Sequence, residues 1–351
     1  MDFTLSTYRI LLGTLKQQGF SFFTFSDFVS RPSGRKIVFR HDVDKLPDNS
    51  LRFARIQEEL GIKGTYYFRV VPGSWDERII KEIANLGHEI GYHYEDLNLA
   101  AGRLRDLEPQ RRRDNNKGPH DRKTARLQDH KRLENELVVI AIEGFTKNLE
   151  RLRKIVPVKT ICMHGSPMSR WDSRLLWKYY DYRDFGIIGE PYFDVNFDEV
   201  LYLTDTGRRW GGESVAIRDK VQGAGCRVQG GNPFGDWKVK PVQYRKETES
   251  GGDEETGRKG DIETKRRSDV ETKKSPSVSS PATCNMQPAP FPKFHSTSDI
   301  IQAAEQGKLP DKIMMTFHPQ RWTDKPIPWV KELVWQNVKN GGKFFLVKMR
   351  D

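Results

Sequence analysis

Residues 37–47, IVFRHDVDKLP, place His41, Asp42 and Asp44 at the end of an apolar run that stops before Pro47. In α/β barrels, side chains at the carboxyl ends of strands face the active site. The two aspartates are close enough to share a site, in which one carboxylate binds a metal and the other takes a proton. The structural alternative is an Asx-type turn that only ends the strand.

The sequence on either side alternates short β-branched or aromatic runs with helical periodicity, which is the pattern of βα units in an α/β fold. The predicted strands are Lys36–Arg40, Thr65–Val70, His88–Tyr94, Thr160–Met163, Phe185–Ile188, Val200–Leu203 and Ile313–Phe317. The predicted helices are the N-terminal amphipathic stretch, Asn49–Leu60, Asp76–Leu86, Glu136–Ile155, Thr297–Gln306 and Trp329–Val338. A chain of 351 residues is long enough for one large domain of this class.

Three further strand ends carry histidines. In LGHEIGYHYEDL, residues 86–97, His93 and Glu95 are two positions apart and therefore share a strand face. A later strand leads into His164 and a Gly-Ser-Pro turn, and the last one delivers His318 before a proline. Imidazole and carboxylate groups together suit Zn²⁺ or a similar divalent ion. Four strand ends that finish in His or Asp predict one convergent site.

His88 is interpreted differently from these histidines. It follows a glycine that ends a predicted helix, so we expect it to satisfy backbone groups at the start of its strand.

The order of HDVD, GTYYFRV, GHEIGYH and a late strand ending in histidine resembles the NodB-homology polysaccharide deacetylases, carbohydrate esterase family four. The resemblance covers roughly residues 36–100, 159–205 and 313–322. It implies a deformed (β/α) barrel that binds a divalent metal through one aspartate and two histidines. A second aspartate acts as the base in that family, and a late histidine acts as the acid.

Carried over by position, the resemblance implies that Asp42 is the base, Asp44 the metal carboxylate, His93 the first metal histidine and His318 the acid. The second metal histidine of the family usually follows four residues after the first, where this chain has Leu97.

His164 and Glu95 are the candidates to replace that missing ligand. We predict Asp44, His93 and His164 as the metal triad, because His164 ends the following core strand before a tight turn. Glu95 is then expected to hydrogen-bond the substrate or a ligand imidazole. Zinc is the expected metal, with cobalt, nickel and manganese as alternatives.

The Arg-x-Pro-Tyr segment of the family has partial echoes in SPMSRWD and in GEPY. With Glu95, these place Arg170, Trp171 and Tyr192 among the expected substrate-binding residues, and two of them are aromatic groups suited to stacking on a sugar. The predicted reaction is metal-dependent deacetylation of an N- or O-acetylated sugar or sugar-containing precursor. The alternatives are hydrolysis of a non-sugar C–N bond, such as that of a cyclic amide, and a catalytically inactive binding protein.

Two segments interrupt the α/β pattern. Residues 103–132 contain eleven Lys/Arg against five Asp/Glu, and residues 219–290 are of low complexity. We predict both as mostly disordered insertions in a single barrel domain formed by residues 1–102, 133–218 and 291–351. Because much of the net charge of +11 lies in these insertions, a nucleic-acid partner is not expected. Binding of a polyanion by residues 103–132 is the alternative to a solvated spacer.

Three widely spaced cysteines indicate neither a disulfide framework nor a metal knuckle. The N-terminus lacks the basic and apolar regions of a signal peptide, and no apolar run reaches the length of a membrane span. These features predict a cytoplasmic location.

Overall fold

The computed structural model describes residues 1–30, 34–111, 122–165, 171–210 and 291–348. All of these residues belong to one compact unit, which comprises Met1–Trp237 and Pro290–Asp351. A second unit, Lys238–Ala289, lies outside the described residues, as does the predicted low-complexity insertion 219–290.

The strands within the described residues form one parallel sheet. They are β1 (Ser21–Phe23), β2 (Lys36–Val43), β3 (Thr65–Phe68), β4 (Glu89–Tyr94), β5 (Ile161–Met163), β6 (Leu201–Thr204) and β7 (Lys312–Phe317). Their order is β5-β4-β3-β2-β7-β6, and β1 pairs with the first half of β2. The sheet is a half-barrel with helices, so the predicted α/β class is confirmed, and the arrangement is compatible with a (β/α) barrel type.

Helices connect and cover these strands. They are α1 (Leu5–Gln17), α2 (Phe25–Ser30), α3 (Pro47–Glu59), α4 (Glu77–Asn85), α5 (Asp96–Arg111), α6 (Arg122–Arg153), α7 (Leu176–Tyr179), α8 (Pro191–Asp194), α9 (Thr297–Glu305) and α10 (Pro326–Lys348). Local signals set several of their ends: the Asp76 side chain accepts from the Ile79 N–H at the start of α4, and Ser296 forms a capping box at the start of α9. Across the described residues, no helix has both the length and the apolar character that a bilayer crossing requires.

The central strand β2 is buried along its whole length because it lies between β3 and β7 and has both faces covered. Its odd-numbered residues Ile37 and Phe39 join the large core beneath the helices. Its even-numbered residue Val38 joins a smaller core that includes Phe25 and Phe28 of α2. Alternation along the strand therefore points Arg40 and Asp42 to the same face as Val38, beyond this smaller core.

Gly91 on β4 shows how closely the strands' side chains pack on this inner face. It lies opposite Tyr67 of β3, and a Cβ at this position would overlap the Tyr67 ring. Only glycine leaves room for that tyrosine, which donates a hydrogen bond to the Thr160 hydroxyl.

One predicted strand was wrong, and one strand was missed. Phe185–Ile188 is not a strand: a short 3-10 turn, Tyr182–Phe185, ends at Gly186 with φ of 68°, and only a bridge between Thr160 and Gly189 follows. Strand β1 was not predicted.

The basic segment 103–132 was expected to be a loop. Its two ends instead continue the helices α5 and α6, while residues 112–121 lie outside the described part of the chain.

Candidate metal centre

The candidate site lies where parallel strands end at one edge of the sheet. Asp44 follows β2, His93 lies on β4, and His164 follows β5. His318 follows β7, the neighbour of β2. Because the strands run in the same direction, their carboxyl ends bring these four side chains to one place. The sequence predicted this convergence from the strand ends alone.

Asp44, His93 and His164 form the tightest group of potential ligands. The Oδ1 atom of Asp44 is 3.6 Å from Nε2 of His93 and 3.4 Å from Nε2 of His164. All three potential ligand atoms lie within 4.8 Å of one another. Ligands bound about 2.1 Å from an ion at the centre of a tetrahedron lie about 3.4 Å apart. The spacing therefore fits three corners of a tetrahedral site.

The other nitrogen of each histidine fixes which ring atom faces the group. Nδ1 of His93 is 2.9 Å from the carbonyl oxygen of Cys162, so it donates its proton there and leaves the Nε2 lone pair free. Nδ1 of His164 is 3.2 Å from Oε2 of Glu95. The His93 imidazole is thus oriented as a metal ligand is, with a hydrogen-bond partner behind it, whereas Glu95 lies close behind the His164 ring without a well-formed hydrogen bond.

The Oδ1 atom of Asp44 supports the same interpretation. It is buried and has no hydrogen-bond partner among the described residues, whereas Oδ2 accepts from the Gln320 amide at 3.1 Å. Leaving a buried carboxylate oxygen unpaired costs free energy. A cation among the three acceptor atoms removes that cost, so the residues fit a divalent metal.

The opposite charges of the aspartates and histidines in this group shift each other's pKa values. Burial raises the pKa of Asp44, but close contact with His93 and the charges of His318 and His164 lower it well below its usual value. Burial lowers the pKa of His93, but the charges of Asp42 and Asp44 outweigh burial and leave it raised. His93 therefore binds a proton more readily than an ordinary histidine while no other cation balances the charges of the two aspartates.

A second group, Asp42, His93 and Cys162, also has the spacing of a metal site. Arg40 already occupies both oxygens of Asp42, at 2.8 and 2.6 Å. Burial raises the pKa of the Cys162 thiol well above its usual value, which disfavours the thiolate that metals require. The group around Asp44 is the better ligand set.

Asp42 is held as an ionised carboxylate. It is buried beside Arg40, which donates from Nε and from a terminal nitrogen in a paired arrangement. Burial raises the pKa of Asp42, but the charges of Arg40, His93 and His318 and the hydrogen bonds from Arg40 together outweigh burial, and the result is a pKa of about 2. Asp42 is therefore negatively charged at neutral pH.

His318 is held by a buried aspartate. Its Nδ1 is 2.5 Å from Oδ1 of Asp205, and its backbone N–H donates to Oδ2 of the same carboxylate. Arg321 and Trp322 also donate to Asp205. Burial raises the pKa of Asp205, but His318 and Arg321 lower it overall. Nε2 of His318 is left facing Asp42, 4.0 Å from its Oδ2.

Glu95 lies on the far side of the His164 ring from Asp44 and is paired with an arginine. Arg69 donates to both of its oxygens, at 2.7 and 2.8 Å. Burial raises the pKa of Glu95, but His164 and Arg69 lower it overall. Of the two roles predicted for Glu95, its geometry corresponds to contact with an imidazole, that of His164.

Three charged residues of the site were missed in the sequence. Asp205 follows β6 and precedes a glycine by two residues, which is the same signal that selected His164. Arg40 shares a strand face with Asp42, so alternation along β2 was a usable signal. Arg69 directly follows β3, and nothing in its neighbourhood distinguishes it from a surface arginine.

The other predicted residues are placed as follows. Arg170 lies outside the described residues. Trp171 is partly buried against the core, and the Tyr192 ring lies 5.3 Å from the guanidinium of Arg40. Leu97, at the position of the missing histidine, is buried in the hydrophobic core. His88 contacts backbone groups of Gly64 and Ala54, as expected.

The chain was compared with protein-family models, with curated proteins and with solved structures, and no match was found in any of the three comparisons. The resemblance to polysaccharide deacetylases therefore depends on the motifs quoted above, and the chemistry of the site depends on its geometry.

Proposed function

We propose that the chain is a metal-dependent hydrolase that removes an acetyl group from an amino sugar or a sugar-containing precursor. One observation carries the proposal: the unpartnered Oδ1 of Asp44 is faced by Nε2 of His93 and Nε2 of His164. Next to it stand an arginine-held aspartate and an aspartate-held histidine, 4.0 Å apart. A metal site beside a proton acceptor and a proton donor is what hydrolysis of an amide or ester needs.

Asp44, His93 and His164 would hold the metal, and zinc suits one carboxylate with two imidazoles. When bound, such an ion lowers the pKa of water and polarises a carbonyl group. The three protein ligands would leave one tetrahedral position open for that water.

Asp42 is the proposed proton acceptor. It remains ionised because Arg40, with His93 and His318, lowers its pKa to about 2, and its Oδ2 faces the site, 3.8 Å from Nε2 of His93. Arg40 also fixes its orientation through two hydrogen bonds, so the carboxylate need not reorganise during the reaction.

His318 is the proposed proton donor to the leaving group. Asp205 fixes the ring through Nδ1, and this leaves Nε2 facing the site as the donating atom. The proposed proton donor and acceptor thus lie next to each other, with Nε2 of His318 4.0 Å from Oδ2 of Asp42.

The acetyl and sugar parts of the proposal come from the sequence motifs. GHEIGYH and the strand-end aspartates resemble a family that deacetylates saccharides, and Trp171 and Tyr192 are the proposed aromatic contacts to a sugar.

Metal analysis and acetate release test the proposal together. Purified wild type is expected to contain one equivalent of metal and to release acetate from an N-acetylated amino sugar. Asp42→Asn should keep the metal and lose turnover, whereas the exposed Asp198→Asn should match wild type in both. Wild-type protein that takes up no divalent metal would refute the hydrolase. Metal with no acetate release, but with opening of a cyclic amide, would refute the substrate class alone.

A further inference from the structure

Helix α10 exposes apolar side chains and buries polar ones, which is the reverse of an ordinary surface helix. The outward face over residues 327–338 exposes five large apolar side chains, from 50% for Trp335 to 81% for Ile327. The set is Ile327, Val330, Val334, Trp335 and Val338. Their spacing of three, four and one residues places them on one side of the helix. We call this set the α10 stripe.

The inward face of the same helix is polar. Gln336 and Asn340 are buried, and the Asn340 amide donates to the Gly207 carbonyl at 3.1 Å. Arg208 donates to the Trp329 carbonyl at 2.9 Å, and the Trp329 indole donates to the Asp2 carbonyl at 2.7 Å. These contacts fix the rotation of the helix, so the α10 stripe cannot turn into the core.

The size of the exposed face is exceptional in the described part of the chain. Its other large exposed apolar side chains are single residues spread over separate elements, among them Ile10, Leu99, Val139 and Ile188. Scattered apolar residues need no explanation, but a contiguous apolar face marks an interaction site.

Positive charges surround the α10 stripe. Lys325, Lys331 and Lys339 are exposed along it, and the Lys339 ammonium lies 4.9 Å from the Trp335 ring centroid. Burial, followed by the nearby charge of Lys45, lowers the pKa of Lys339. Two acids lie nearby: Glu332 is half-buried and accepts from Gln336, and the exposed Asp324 accepts from the Ser6 hydroxyl.

We propose that the α10 stripe and its lysines dock the protein on an anionic lipid surface, with the helix lying in the plane of the bilayer interface. Aliphatic side chains, a tryptophan and flanking lysines on one face are the composition of interfacial helices. A second copy of this chain fits less well, because it would bring another set of lysines against these. Helix α10 also lies close to the candidate site in the structure, since it is fixed to Gly207, two residues beyond Asp205. The proposal does not depend on the reaction proposed above.

Sedimentation of the full-length chain with lipid vesicles tests this docking. Wild type is expected to bind phosphatidylcholine vesicles containing phosphatidylglycerol at least about tenfold more tightly than vesicles of phosphatidylcholine alone. Binding should weaken when salt is raised from about 0.1 M to about 0.5 M. Val334→Asp should lower binding about tenfold or more, and Lys331→Gln about fivefold.

Two matched variants control for general effects. Ile10 on α1 is 58% exposed, as is Val334, so Ile10→Asp makes the same chemical change away from the α10 stripe. Lys81→Gln removes an exposed helical lysine elsewhere. Both should bind vesicles as wild type does, and circular dichroism checks that every variant is folded.

Three results would overturn the proposal. Wild type that binds neither kind of vesicle excludes lipid docking. Unchanged binding by Val334→Asp would assign any binding to another basic segment, such as residues 103–132. A wild-type dimer in analytical ultracentrifugation that Val334→Asp dissociates, without vesicle binding, would assign the α10 stripe to self-association.

Discussion

Replacing Asp44 by asparagine tests the metal centre most directly, because the surrounding hydrogen bonds determine how the new amide is oriented. The Gln320 amide donates to Oδ2 of Asp44, so in Asp44→Asn the carbonyl oxygen should occupy that position. The NH₂ group then takes the place of Oδ1, 3.4 to 3.6 Å from the two histidine Nε2 atoms. The variant presents a donor where the metal needs an acceptor, and we expect it to lose the site.

The size of the effect follows from linkage. Metal at about one hundred times its dissociation constant stabilises a protein by about 2.7 kcal/mol. For a domain of this size, that corresponds to a rise in Tm of about 5–10 °C. Wild type should show this shift on adding Zn²⁺, and Asp44→Asn should show none. Loss of an outer-sphere partner lowers metal affinity about 10- to 100-fold, and loss of a ligand should exceed that range.

The assay is thermal unfolding with and without Zn²⁺, combined with metal content after dialysis. Three comparison variants separate the roles of neighbouring groups. His164→Ala should behave as Asp44→Asn does, while Glu95→Gln should only weaken the metal, because Glu95 contacts the ring of His164. Asp42→Asn should retain the full metal-dependent shift.

A wild-type Tm shift in Asp44→Asn would refute the assignment of Asp44 as a ligand. Loss of metal in Asp42→Asn, with retention in Asp44→Asn, would show that the two aspartates have exchanged roles. Full metal occupancy in His164→Ala would remove that histidine from the triad.

Three further variants probe acid catalysis, buried charge and packing. Asp205→Asn should lower kcat about 10²- to 10⁴-fold with metal content unchanged, because it removes the carboxylate that orients the His318 ring through Nδ1. An unchanged kcat would exclude the His318–Asp205 pair from the reaction. Burial raises the pKa of Glu190 to about 7, above its usual 4.5, so the fold binds this proton more tightly than the unfolded chain does. Glu190 should therefore contribute a loss of stability between pH of about 4.5 and about 7, by at most about 1.4 kcal/mol per unit, and in urea unfolding this contribution should be missing from the pH dependence of Glu190→Gln. Gly91→Ala should destabilise by about 1–3 kcal/mol, measured by the same method, because its Cβ overlaps the Tyr67 ring; an unchanged midpoint would mean that the ring moves freely.

Most of the sheet followed from local sequence patterns. Apolar runs placed six of the seven described strands to within a few residues, since a strand buried on both faces reads as a continuous apolar run. The pattern misled at Phe185–Ile188, where Gly186 in the left-handed region ends a turn and no neighbouring strand extends the pairing. It missed β1 because three residues at an edge carry too little periodicity.

The sequence by itself determined that aspartates and histidines follow several buried strands, because strand direction and side-chain alternation are local properties of the chain. Only the tertiary structure decided which of them meet. His318 reaches Asp42 because β7 pairs with β2, although 276 residues separate them in the sequence, and no local pattern encodes that pairing. The same strand order brings Asp205 to His318 and Arg69 to Glu95. Such contacts depend on which strands become neighbours, and hydrophobic burial over the whole domain decides that.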